Sequence, residues 1–194
     1  ADAVTCTTKS LVKRYGYGHG YILPNLVPER YLDIEHKPPI RAIGWSGHVG
    51  THPQDLDITT GAIGRSLDSD PTCAFLTIGS PWGVQDALKL TREPMAIEWA
   101  PFHQYAAEMT KLTIGIVPLA PTKFNAGKSS LKMSEMAAVG VPVVASPTPD
   151  NVRLNNLGVG LIAHTPAQWE RHVTHLMKDP HYRAEIAEQG REVM

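Results

Sequence analysis

Lys128, Lys132 and Glu135 are the residues of this sequence whose types and spacing could bind a nucleotide. A helix over residues 128–139 turns about 100° per residue, so these three side chains would fall within one narrow arc. The first turn of such a helix offers unpaired backbone N–H groups and a partial positive charge. A diphosphate bound there would meet amide donors, the Lys128 ammonium and the hydroxyl groups of Ser129 and Ser130. Glu135, about two turns further along, could then accept hydrogen bonds from ribose hydroxyls.

The same spacing also has a purely structural interpretation. Lys132 and Glu135 are three residues apart and could form a solvated ion pair, while Lys128 merely begins an amphipathic helix. Surface pairs of this kind are common and contribute little free energy. Spacing alone therefore leaves both interpretations open.

The elements that would position these residues alternate along the chain. Short apolar runs are separated by amphipathic segments of helical length, which predicts an α/β fold with a Rossmann-like, doubly wound parallel sheet. The runs are apolar nearly throughout, as expected for strands covered by helices on both faces. Predicted strands cover residues 42–45, 74–78, 95–99, 113–117, 141–145 and 160–163, and predicted helices cover residues 55–67, 84–90, 105–112, 129–139, 167–177 and 181–194.

Residues 1–40 differ from the rest of the chain because they are rich in proline, at positions 24, 28, 38 and 39. We interpret them as the remnant of a preceding N-terminal domain followed by an interdomain linker. Residues 41–194 are then expected to form one Rossmann-like donor-binding domain. No turn or tail follows the last predicted helix, which suggests that this domain is truncated at its carboxyl end.

Composition argues against several classes of protein. The net charge is -1 and the basic residues are scattered, so no nucleic-acid-binding surface is expected. No apolar stretch approaches the roughly 20 residues of a transmembrane segment, and the amino terminus lacks the pattern of a signal peptide. Cys6 and Cys73 are far apart, which predicts neither a disulfide framework nor a zinc site and favours a reducing, cytoplasmic setting. The nine histidines, including His172 and His175, are interpreted as solvated surface residues rather than metal ligands.

The segment FNAGKSSLKMSEMAAVGVPVVAS, residues 124–146, resembles the donor-domain motif of retaining glycosyltransferases of the GT-B fold, especially glycosyltransferase family four. Its first part, FNxxKSxLK, resembles one subgroup of that family. Three other stretches match in the expected order: the interdomain LPN stretch at residues 23–25, the first strand and glycine loop at residues 43–47, and a later strand at residues 113–119. The resemblance covers nearly the entire chain.

This resemblance implies one half of a GT-B enzyme. The C-terminal half binds a UDP- or GDP-sugar, and a missing N-terminal domain supplies most of the acceptor site. The enzyme would be a hexosyltransferase that acts with retention and needs no metal or other cofactor, because the nucleotide sugar is its co-substrate. The present chain alone would carry only part of the active site.

The resemblance also implies roles for individual residues. Lys128 and Glu135 would be catalytic, with Lys128 stabilising the leaving diphosphate as negative charge develops. The donor and its phosphates would be bound by Ser46, Gly47, His48, Asn125, Gly127, Ser129, Ser130 and Lys132. The nucleobase would lie against Trp99, Ala100 and Pro101. Trp99 could stack on the base or pack in the core, and core packing is favoured because large aromatic side chains dominate cores.

The sequence departs from the family pattern at two places. The second carboxylate of the pattern, eight residues before Glu135, is replaced by Gly127, so the usual acidic contact to the transferred sugar is missing or supplied elsewhere. The glycine loop has His48 and His52 where an arginine and a lysine are usual. A catalytically inactive nucleotide-binding or assembly module therefore stays open, as do a nucleotide-sugar epimerase and a sugar phosphorylase of the same fold.

Overall fold

A computed structural model describes residues 2–51 and 53–194, and these form eight strands and eight α-helices. The strands are β1 (Val4–Cys6), β2 (Gly20–Ile22), β3 (Ala42–Ser46), β4 (Ala74–Ile78), β5 (Met95–Ile97), β6 (Ile114–Val117), β7 (Val143–Ala145) and β8 (Leu161–Ile162). The helices are α1 (Lys9–Tyr15), α2 (Ala62–Asp68), α3 (Val84–Leu88), α4 (Phe102–Met109), α5 (Leu131–Ala138), α6 (Pro149–Asn155), α7 (Pro166–Lys178) and α8 (Pro180–Val193).

Strands β3 to β8 form one six-stranded sheet in the order β5-β4-β3-β6-β7-β8, and every pairing in it is parallel. The predicted Rossmann-like, doubly wound sheet is thereby confirmed. Strands β4 and β5 are added on one side of β3, and the chain then crosses back to place β6, β7 and β8 on its other side. The strand order therefore reverses between β3 and β6. In sheets of this kind ligands bind at that reversal, beyond the carboxyl ends of the strands.

The core lies on both faces of this sheet, which explains why the strand sequences are almost continuously apolar. Side chains alternate across the pleat: Phe75 of β4 packs in one apolar cluster and Leu76 in the other. The first cluster is covered by α2, α3 and α7, with Trp169 among its most deeply buried side chains. The second is covered by α4 and α5, and Met133 and Met136 of α5 are fully buried in it. Helix α5 is thus fixed in place by its apolar face.

Some predicted boundaries are wrong for local reasons. The single helix predicted over residues 55–67 is a 3-10 turn, Asp57–Thr59, followed by α2, because Thr60 and Gly61 both adopt left-handed conformations with φ of 48° and 75°. Helix α6 was not predicted; it begins where the Thr148 hydroxyl accepts a hydrogen bond from the Asn151 amide. Elements β1, α1 and β2 were not predicted either.

The first forty residues are attached to the main domain by polar and apolar contacts. Strands β1 and β2 pair in parallel, with α1 connecting them. The Thr8 hydroxyl donates to the Gly127 carbonyl at 3.0 Å, and the amide of Asn25 donates to the Ser129 hydroxyl at 2.8 Å. Tyr31 is fully buried in the second apolar cluster. Within the described ranges, no helix combines the length and apolarity needed to cross a lipid bilayer.

Candidate functional site

A cavity of about 630 Å³ opens at the carboxyl ends of β3 and β6, where the strand order reverses. Its size falls in the range of small-molecule and cofactor sites. Its described lining residues are Thr7, Ser10, Leu11, Arg14, Tyr15, Trp45, Val117, Pro118, Leu119, Lys123, Phe124, Ala126, Gly127, Lys128, Ser129, Leu131 and Lys132. Four of the predicted site residues, Gly127, Lys128, Ser129 and Lys132, are therefore brought to one cavity.

Helix α1 and the loop before α5 form two adjoining walls of this cavity. The bond between the Thr8 hydroxyl and the Gly127 carbonyl is buried and joins the two walls. A Cβ atom placed on Gly127 would lie 3.1 Å from Cδ2 of Leu11, so the leucine occupies space beside the glycine. The cavity is therefore a formed structure rather than a gap between loosely associated segments.

The start of α5 differs from the prediction. Asn125–Gly127 form a 3-10 turn, Lys128 is extended with φ -66° and ψ 142°, and the α-helix begins only at Leu131. A helix beginning at Lys128 is therefore wrong, and so is the argument that the three charged residues share one helical arc. Lys128 nevertheless lines the cavity together with Lys132, because the extended residue directs its side chain there from the loop.

Asp55 holds this loop in place. Its carboxylate is almost fully buried and accepts hydrogen bonds from the Ala120 amide at 2.8 Å and from the Asn125 side-chain amide at 2.6 Å. It also lies 3.6 Å from the Lys128 ammonium. Asn125 donates as well to the Ala120 carbonyl at 2.9 Å, does not line the cavity and is itself buried. Asn125 therefore holds the loop in place through its side-chain amide.

Ser130, the residue preceding α5, is buried and bonded to protein. Its backbone N–H and its hydroxyl both donate to Oδ2 of Asp150, at 2.8 and 3.0 Å. Burial acts to raise the pKa of Asp150, but hydrogen bonds from Arg153 and Ser130 outweigh it and keep that pKa below its usual value. Both donor groups of Ser130 are therefore used by Asp150 in this structure. The amides of the first helical turn lie before the first intrahelical bond, from Ser134 to Ser130, and have no partner within the helix.

Lys132 lies on the helix and faces the end of β3. Its ammonium donates to the backbone carbonyl of Ser46 and lies 5.8 Å from the centre of the Trp45 ring. Burial, together with the positive charge of Lys128, lowers the pKa of Lys132 to about 8. The nearby carboxylates oppose this shift. Ser46 thus contributes its carbonyl to the site, while its hydroxyl pairs with Tyr105 at 2.8 Å.

Glu135 lies one turn further along α5 and is only 7% exposed. Its carboxylate accepts no hydrogen bond from any described residue. Burial raises its pKa to about 7, although the positive charge of Lys132 acts in the opposite direction. Burial also raises the pKa of Tyr105 to about 12, opposed by its bond to Ser46 and reinforced by the negative charge of Glu135. Glu135 is not among the described residues that line the cavity.

The predicted nucleobase residues, Trp99, Ala100 and Pro101, all lie in the loop between β5 and α4. Trp99 is 65% exposed, so the expectation that it packs in the core is wrong. A Cβ atom on Gly79 would lie 2.5 Å from the Gly47 carbonyl oxygen and 3.6 Å from Cε2 of Trp99. The loops after β3, β4 and β5 therefore meet beside an exposed indole ring. Ala100 follows on the chain and is half-buried, and Pro101 directly precedes α4.

The remaining candidates do not form a further cluster. His48 is half-buried in the glycine loop, and His52 lies outside the described residues. No group of three or more metal-ligating side chains is present among the residues that the structure describes. Cys6 and Cys73 are both free thiols.

Five functional candidates were missed by sequence reasoning: Arg14, Trp45, Asp55, Tyr105 and Lys123. Four of them lie on elements distant in sequence from residues 124–146, and Lys123 immediately precedes that segment. Asp55 carried one usable signal, since an aspartate after a proline-containing loop is a common partner of backbone amides. Nothing in the sequence pattern distinguishes Arg14 from its basic neighbours.

Residues 62–194 match the sequence profile of a family described as "Glycosyl transferase-like". The chain belongs to this family. It is a glycosyltransferase domain, as the resemblance of residues 124–146 implied. A comparison with curated protein sequences found no significant match.

Solved structures share the fold of this glycosyltransferase domain at low sequence identity. The Anabaena protein HepE in complex with UDP-glucose has a TM-score of 0.75 at 14% identity, covering 100% of this chain and 58% of that one. Sucrose-phosphate synthase from Thermosynechococcus elongatus has a TM-score of 0.73 at 15% identity, covering 100% of this chain and 53% of that one. The C-terminal domain of a glycosyl transferase group 1 family protein from Francisella tularensis has a TM-score of 0.57 at 16% identity, covering 88% and 92%.

The chain therefore has the Rossmann-like architecture of one half of a GT-B fold, and it spans a little over half the length of the first two structures. The predicted family and fold class are confirmed.

Proposed function

We propose that this glycosyltransferase domain binds a nucleoside-diphosphate sugar and, with a preceding N-terminal domain, transfers the sugar to an acceptor with retention. The observation that carries the proposal is the charge of the cavity at the strand reversal. Among its described lining residues, four side chains are cationic and none is a carboxylate. A preformed, positively charged cavity at this edge of the sheet suits an anionic nucleotide.

The diphosphate would contact Lys128, Lys132 and the amides of the first turn of α5, which have no partner within the helix. Fixed cations and amide dipoles would stabilise the negative charge that develops on the leaving diphosphate without having to reorganise. No metal ion is needed for this role, so we propose metal-independent transfer. The hydroxyl of Ser129, which lines the same cavity, could add a hydrogen bond.

The nucleoside would extend from the cavity toward the ends of β4 and β5. Glu135 would accept hydrogen bonds from ribose hydroxyls, which would supply the donors that the described residues do not give its carboxylate. The base would lie against the exposed face of Trp99, next to Gly47 and Gly79. HepE and TarM of Staphylococcus aureus were crystallised with UDP-glucose and with UDP, so we propose a uridine nucleotide as the first ligand to test.

We propose that the complete protein catalyses hexosyl transfer in the cytoplasm. We propose that residues 1–40 are the end of the preceding domain and its linker. Helix α1 supports this assignment, since it lies before the Rossmann-like domain in the chain and yet contributes a wall to the cavity. The alternative of an inactive binding module is favoured by one observation. Gly127 replaces the usual carboxylate, and Leu11 rather than an acidic side chain occupies the adjoining space.

Calorimetry of this chain with UDP, UDP-glucose and GDP tests the proposal. Replacing Lys132 with Met or Lys128 with Ala should weaken every diphosphate ligand about tenfold or more, because a charge-assisted hydrogen bond is lost. Replacing Glu135 with Ala should weaken uridine and UDP alike. Lys178→Ala, on the exposed end of α7, is the matched control and should leave all affinities unchanged.

Unchanged affinities in all three site variants would overturn the proposal. Product analysis with the full-length protein then separates the activities: transfer to an acceptor supports the transferase, whereas nucleotide binding without any reaction supports the inactive module.

A further inference from the structure

Arg14 and Lys123 are two cations of the cavity that the proposed donor site does not use. Arg14 lies on α1 and Lys123 in the loop before the 3-10 turn, and both line the cavity. Within the described part of the chain, neither pairs with a carboxylate. By contrast, Lys128 lies 3.6 Å from Asp55, and Lys132 donates to the Ser46 carbonyl.

The described lining of this cavity carries a local excess of positive charge. The whole chain has a net charge of -1, yet the described cavity lining contains four cationic side chains and no acidic one. Placing four cations around one cavity raises their mutual repulsion unless anions bind there. A diphosphate on Lys128 and Lys132 would leave Arg14 and Lys123 without a counterion.

Apolar side chains lie next to the two unused cations. Leu11 and Tyr15 belong to the same wall as Arg14, and the Arg14 guanidinium lies 5.2 Å from the centre of the Tyr15 ring. Phe124, whose ring is exposed, directly follows Lys123. This half of the cavity therefore offers an anion-binding group and an apolar surface side by side.

We infer that the sugar acceptor is an anionic amphiphile, whose phosphate or carboxylate group binds Arg14 and Lys123 while its apolar part lies along Leu11, Tyr15 and Phe124. This inference rests on the proposed function, since it assigns the second substrate of the same cavity. Gly127 fits the assignment, because a carboxylate at that position would bring negative charge toward the anionic acceptor. Arginine is the residue best suited to bind such a group through two parallel hydrogen bonds.

Binding of octyl phosphate to this chain, measured by calorimetry with and without saturating UDP, tests the inference. Octanoate replaces the phosphate with a carboxylate, octyl glucoside removes the charge, and glycerol phosphate removes the apolar chain. We expect octyl phosphate to bind in the presence of UDP. Octyl glucoside, which lacks the charge, and glycerol phosphate, which lacks the apolar chain, should each bind at least tenfold more weakly.

Arg14→Gln and Lys123→Gln should each weaken octyl phosphate about tenfold, through loss of one charge-assisted contact, with a much smaller effect on UDP. Lys13→Gln is the matched control, because Lys13 neighbours Arg14 on α1 but does not line the cavity. Equal binding by all three variants, or equal affinity for octyl glucoside, would overturn the inference. Competition between octyl phosphate and UDP would overturn it too. If the wild-type chain did not bind UDP, that result would instead count against the proposed donor site.

Discussion

Replacing Glu135 with Gln is expected to stabilise the folded protein at neutral and alkaline pH. Glu135 is a buried residue whose carboxylate accepts no hydrogen bond from the described residues, so burial disfavours its ionised form. Burial raises its pKa from an ordinary value of 4.5 to about 7. Glutamine keeps the shape of the side chain and removes the charge.

The magnitude follows from proton linkage. A group that binds its proton more tightly in the folded state favours folding below the unfolded pKa, and this contribution is lost as pH rises through the folded pKa. Here the window runs from 4.5 to about 7. At about 1.4 kcal/mol per pKa unit, the wild type should lose on the order of 3 kcal/mol of unfolding free energy across this window relative to the variant.

Urea unfolding at pH 4.5, 6, 7 and 8 measures this difference. As pH rises, the free energy of unfolding of the wild type should fall progressively below that of Glu135→Gln. The difference between the two should stop growing above about pH 7. Glu188→Gln, on the exposed surface of α8, is the matched control and should follow the wild type. Parallel stability profiles for wild type and Glu135→Gln would refute the reasoning, because they would mean that the carboxylate is solvated or paired in the folded protein.

Three further predictions follow from particular contacts. The affinity for UDP should fall as pH rises through about 8, where Lys132 loses its charge, and calorimetry should find this extra loss absent in Lys132→Met. Asp55→Ala should lower the unfolding free energy by about 2–4 kcal/mol in urea titrations, because the buried donors of Ala120 and Asn125 lose their acceptor. Tyr31→Phe should leave the unfolding free energy unchanged or raise it by about 1 kcal/mol, since the buried Tyr31 hydroxyl has no hydrogen-bond partner among the described residues.

Elements with strong local signals were predicted well from the sequence. Strand β4 has the predicted bounds, Ala74–Ile78, because five consecutive apolar or β-branched residues suit a strand buried on both faces. Helices α7 and α8 each begin within one residue of the predicted start, since a capping Thr165 and a capping Asp179 are each followed by proline. The predicted sheet followed from this alternation and from the handedness of its connections.

The candidate site was predicted less well, because distant residues determine its geometry. The α-helix begins at Leu131 rather than at Lys128 because Asp55 and Asp150 hold the preceding loop, and neither lies within residues 124–146. The exposure of Trp99 depends on the loops after β3 and β4. Short-range patterns contain no information on such contacts, whereas the helical pattern of residues 129–139 placed Lys132 and Glu135 correctly on a helix.

The hydrogen bonds that join Thr8 to Gly127 and Asn25 to Ser129 affect how this protein can be divided for experiments. A fragment beginning at residue 41 would retain the whole six-stranded sheet, and we expect it to fold. Without α1, the surface of the loop around Gly127 that Leu11 covers would be exposed to water. The fragment would also lose the wall of the cavity that α1 forms. We therefore expect such a fragment to bind ligands more weakly than the chain that includes residues 1–40.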